Sequence, residues 1–132
     1  MRIFQIINFT KMKQKFFLIS NDFYFITKIR EVAKSSDTTI TRIRDRVLKD
    51  VINFFDDVKS EQIIFWELSD STVTLLEEVS KHKLAPSLAC YAFLAHTEKE
   101  LFNRCECINS FKKFEAMPRS KFFNELPGML AR

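Results

Sequence analysis

The sequence predicts an α/β domain built in three layers, a five-stranded parallel sheet sandwiched by helices. Two observations predict it. Short apolar runs of strand length alternate along the chain with segments whose apolar residues return at helical spacing. Each parallel crossover also needs a covering element, so five strands alternating with five helical segments imply helices on the sheet faces. At 132 residues and 15.7 kDa the chain has the size of one domain with one core.

The elements follow in order. Lys15-Phe16-Phe17-Leu18-Ile19 is a first buried strand, ended by Ser20-Asn21-Asp22, where a helix can be capped. Phe23, Ile26, Ile29, Val32 and Ala33 then recur at helical spacing. Thr38 to Ile43 is β-branched and alternating, a half-exposed strand, and Val47, Leu48, Val51, Ile52, Phe55 and Val58 restore the helical period. Ile63 to Leu68 is almost continuously apolar, as a central parallel strand covered on both faces should be. Ser69-Asp70-Ser71 can cap a helix carrying Val73, Leu76 and Val79, and Leu88 to Leu94 is another buried strand. Thr97 and Glu100 have capping-box spacing before Leu101, Phe102 and Cys105. Phe111 to Met117 reads as a weaker strand, and a terminal helix carries Phe122, Phe123, Leu126 and Leu130, with Pro127 expected to kink or shorten it. Residues 1–12 read as an N-terminal extension and 13–132 as the domain.

Composition narrows the function. One Gly in the whole chain argues against the Gly-rich loops of dinucleotide and nucleoside-triphosphate sites. The net charge of +4 is spread along the chain and interleaved with seventeen acidic residues, which favours a solvated mixed-charge surface over a nucleic-acid footprint. Fifteen Phe residues match the codon bias of an AT-rich genome, so no binding role is read from them. Cys90, Cys105 and Cys107 lack CxxC spacing and read as reduced thiols in a cytoplasmic protein. The apolar patch Ile3 to Ile7 is too short to span a bilayer. His82, His96 and the Asp56-Asp57 pair form no recognisable catalytic or metal-binding constellation.

Local sequences add a resemblance. Leu18-Ile19-Ser20-Asn21-Asp22 is similar to the first strand and acidic pair of the receiver domain of bacterial response regulators. Ile63 to Leu68 is similar to the receiver's third strand, whose end bears the phospho-acceptor. Ala95-His96-Thr97-Glu98, Met117-Pro118-Arg119-Ser120-Lys121-Phe122-Phe123 and Leu126-Pro127 are similar to a divergent group of stand-alone receiver-like proteins. That group has a Ser-His-Val-Asp-like turn after strand four and an Arg-Ser-x-Phe-Phe segment before the last helix. The resemblance implies a flavodoxin-like fold, strand order 2-1-3-4-5.

It also implies a degenerate site. A receiver needs a carboxylate nucleophile, an acidic pair holding Mg²⁺, a hydroxyl and a Lys. The corresponding positions carry Glu67, Asn21 with Asp22, Ala95 and Met117. With several groups altered, concerted positioning should fail. The resemblance therefore points to a non-catalytic, receiver-like signalling and interaction module, with no cofactor. Mg²⁺ would enter only if the acidic site still functions. Its partner is expected to be another protein, in the simplest case a second copy, on the face formed by the fourth helix, the fifth strand and the last helix. Phe111, Phe114 and Arg119 are the expected interface residues. Two other readings are an atypical Mg²⁺-dependent phospho-acceptor and a small basic nucleic-acid-binding protein.

Overall fold

The structure, a computed structural model, describes residues 14–43, 61–81, 88–94, 99–106 and 108–131. They form β1 (Gln14–Ile19), α1 (Phe23–Ser35), β2 (Ile40–Arg42), β3 (Glu61–Leu68), α2 (Asp70–Ser80), β4 (Leu88–Leu94), α3 (Lys99–Cys105), β5 (Lys113–Pro118) and α4 (Arg119–Leu130). All strand pairs are parallel, and the order is β2-β1-β3-β4-β5, as expected. The helical period at Val47 to Val58, residues 1–12 and the Asp56-Asp57 pair lie outside the described residues.

Alternation along the strands divides the interior into two cores. On one side Phe17, Ile19, Ile64, Trp66, Leu88 and Cys90 pack with α2 and α3. On the other, Phe16, Phe25, Phe65, Tyr91, Phe93 and Phe122 form an aromatic layer under α1 and α4. Phe93 and Phe122 stack with ring centroids 4.3 Å apart. β3 and β4 are buried on both sides, which explains why their sequences run apolar without alternation.

Several local expectations shift. Phe23 is exposed rather than inward-facing. Asp22 caps α1 through Tyr24 N (2.9 Å), and the buried stripe is Phe25, Ile26, Ile29 and Ala33, which leaves Phe23 roughly 100° around the helix. β2 is three residues long because Thr38 is used to leave α1: its N–H reaches Ala33 O (2.9 Å) after Asp37 turns left-handed at φ 54°. Phe111 precedes β5 instead of lying in it, and is buried against Phe114. Pro127 does not end α4, which continues to Leu130. Leu126, Met129 and Leu130 are buried on either side of it and hold the last turn against the core. The terminal helix carries Phe122 and Phe123, as expected, and begins at Arg119, so the whole Arg119 to Phe123 segment lies inside α4.

Burial pushes the Cys90 thiol well above its ordinary value and that of Cys105 up to about 11. Unfolding returns such thiols to about 8.5. The stabilisation from Cys105 is therefore complete below that value and lost as pH rises towards its folded value. In a Cys107→Ser variant, both thiols should react with a thiol reagent at pH 8 roughly 100-fold more slowly than in urea, because the reactive thiolate is suppressed. Equal rates would show that the thiols are not enclosed.

Candidate functional site

In a 2-1-3-4-5 sheet the direction of chain progression reverses between the first and third strands, opening a crevice at their carboxyl ends. Ser20, Asn21 and Glu67 occupy that place. Glu67 lies on the α1 and α4 side, in register with Phe93, and β4 carries the register on from Phe93 to Met117. Glu67 is 5% exposed, not the partly open carboxylate that a strand end suggests.

Burial of a carboxylate demands donors. Glu67 Oε1 accepts from Ser20 Oγ (2.6 Å) and from the backbone N–H of Asn21 (3.1 Å). Ser20 Oγ also accepts from Asp22 N (3.1 Å), and its carbonyl accepts from Arg42 Nη2 (3.0 Å) at the end of β2. Asn21 Nδ2 reaches Ser71 Oγ on α2 (3.4 Å). Beneath these, Thr72 closes a capping box with Ser69 and donates to the Glu67 carbonyl (2.5 Å). Three strand ends and the starts of two helices are tied together around a single acid.

Of the expected site residues, Asn21 meets Glu67 through its backbone. The Asp22 carboxylate is turned instead to the N-terminus of α1, where it serves as the cap. Met117 is buried in the aromatic core. Ala95, His96, His82 and Cys107 lie outside the described residues. Among the described residues, no group of three or more His, Cys, Asp and Glu side chains could hold a metal ion. Sequence reasoning missed Ser20, Arg42, Ser71 and Thr72. The signal for Ser20 is a hydroxyl placed directly after a buried strand, in a segment that reads as a helix cap.

The expected interface residues are divided by the sheet. Phe111 and Phe114 stack on the α2 and α3 side, 5.8 Å between centroids. Arg119 starts α4 on the other side, with its guanidinium 5.9 Å from the Phe25 ring. Arg119 thus lies on the opposite side of the sheet from Phe111 and Phe114. What the α3 side offers instead is an open hollow of about 340 Å³ lined by Phe102, Cys105, Glu106, Phe114 and Ala116.

These features define the class as a flavodoxin-like α/β arrangement of five parallel strands. A solved structure with the same fold is that of a "Putative pilus assembly-related protein" from Burkholderia pseudomallei K96243, at a TM-score of 0.59 and 12% identity, covering 91% of this chain and 90% of that one. No protein-family model matches the sequence, and no curated protein matches it significantly. No described helix is long and apolar enough to cross a membrane.

Proposed function

We propose that the chain is a non-catalytic, receiver-like interaction module of a cytoplasmic signalling or regulatory system, acting through a protein partner and without a cofactor. The observation that carries this reading is the Glu67 carboxylate, buried at the switch point and held by Ser20 and Asn21 while Asp22 is engaged as a helix cap. A phospho-acceptor needs an accessible nucleophile beside a second carboxylate that shares its metal. Here the acid serves as a fixed anion that draws the ends of β1 and β3 together. The partner surface lies on the α3 and β5 side, where Phe102, Phe114 and Ala116 are only half-buried. The assembly-related description of the fold neighbour is compatible with a role through contacts.

Incubation with acetyl phosphate and Mg²⁺ should leave the intact mass unchanged. A gain of one phosphoryl group at Glu67 or Asp22 would replace this reading with that of an atypical phospho-acceptor.

A further inference from the structure

We propose that the outer edge of β5 pairs with the same edge of a second copy of this chain, antiparallel and centred on Phe114. The two sheets would then continue across a two-fold axis. This inference rests on the interaction-module reading and names its partner.

β5 ends the sheet order, and among the described residues no strand pairs with its outer side. An open edge of this kind is a template for another strand unless it is blocked. Its residues are self-complementary. Lys113 and Glu115 flank Phe114 and lie together on the α4 side, their side chains 53% and 34% exposed. Phe114 and Ala116 point to the α3 side, against that core.

For two identical antiparallel strands, the register is fixed by the residue that meets its own copy on the axis. Opposed residues must share a face, which excludes registers that pair Lys113 with Phe114. Centring on Lys113 or on Glu115 sets like charges face to face, which is destabilising. Centring on Ala116 or beyond runs the pairing into Pro118, which cannot donate to a ladder. Centring on Phe114 places Lys113 opposite Glu115 of the second copy, twice, and brings the two Phe114 rings together across the axis. On the same side, Lys112 of the second copy falls opposite Ala116, over the hollow whose rim carries the exposed Glu106. Charge and apolar complementarity therefore select one register.

The register makes a charge-swap test decisive. Sedimentation velocity over a concentration series should show the wild type as a dimer. Lys113→Glu and Glu115→Lys each place two like pairs across the axis and should weaken self-association about ten-fold or more. The double variant K113E/E115K restores opposite pairs and should dimerise again. An equimolar mixture of K113E and E115K should form the heterodimer, detected by native mass spectrometry. Far-UV circular dichroism and melting confirm that each variant is folded. A wild type that stays monomeric near ~1 mM, or a dimer indifferent to both single changes and not recovered by the double, overturns the pairing. The parent reading fails separately: phosphoryl uptake removes it whether or not a dimer forms, while a monomer that takes up no phosphoryl group removes the pairing alone.

Discussion

Trp66→Ala is expected to lower the free energy of unfolding by about 3–5 kcal/mol, as large-to-small changes of buried aromatics do. Trp66 is fully buried in the middle strand and flanked in register by Ile19 and Ala92. The small Ala92 side chain leaves space that the indole fills. Its Nε1 donates to the Thr72 carbonyl (3.0 Å), which ties β3 to the first turn of α2. The substitution therefore opens a cavity and strands a carbonyl at the same point. Trp66→Phe separates these effects, since it keeps most of the burial and removes only the hydrogen bond, for roughly 1–3 kcal/mol. Urea unfolding measures both. A loss below about 1 kcal/mol for Trp66→Ala would show that the central strand is not packed as described.

Ser20→Ala is expected to cost about 1.5–3 kcal/mol, the range for a hydrogen bond to a charged group. The effect is large for one hydroxyl because Glu67 remains buried with a single backbone donor. Glu67→Gln removes the charge at constant shape, and in that background the loss of the Ser20 hydroxyl should matter less. A double-mutant cycle reads the difference as a coupling of at least about 0.5 kcal/mol. If the two changes simply add, the hydroxyl does not support the carboxylate.

Much of the fold was legible because its signals are local. The double-sided burial of β3 and β4 appears as unbroken apolar runs, and the Ser69 cap appears as its residue type. The errors fall where tertiary contacts choose among local options. Phe23 fits the helical period as well as Phe25 does, and only the contacts of α1 with the sheet decide which faces inward. Pro127 carries a local preference to stop a helix, which is outweighed by three buried neighbours. At the site, Glu67 was recognisable from its place at a strand end. Its burial was not, because the donor that permits it lies 47 residues away on another strand end. Phe111, Phe114 and Arg119 are close in sequence, yet the sheet separates them, a fact no short window can contain.

The division of the interior into two cores also decides what an optical probe can see. The chain has one Trp, and it belongs wholly to the core beneath α2 and α3. Indole fluorescence therefore watches one half of the molecule and is blind to the phenylalanine layer under α1 and α4. Ring resonances of Phe93 and Phe122 watch the other half. If both signals are lost at the same urea concentration, the sheet transmits disorder between its faces and the domain melts as one unit. Two separate midpoints would mean that the sheet works as a partition, with each face able to loosen while the other stays ordered.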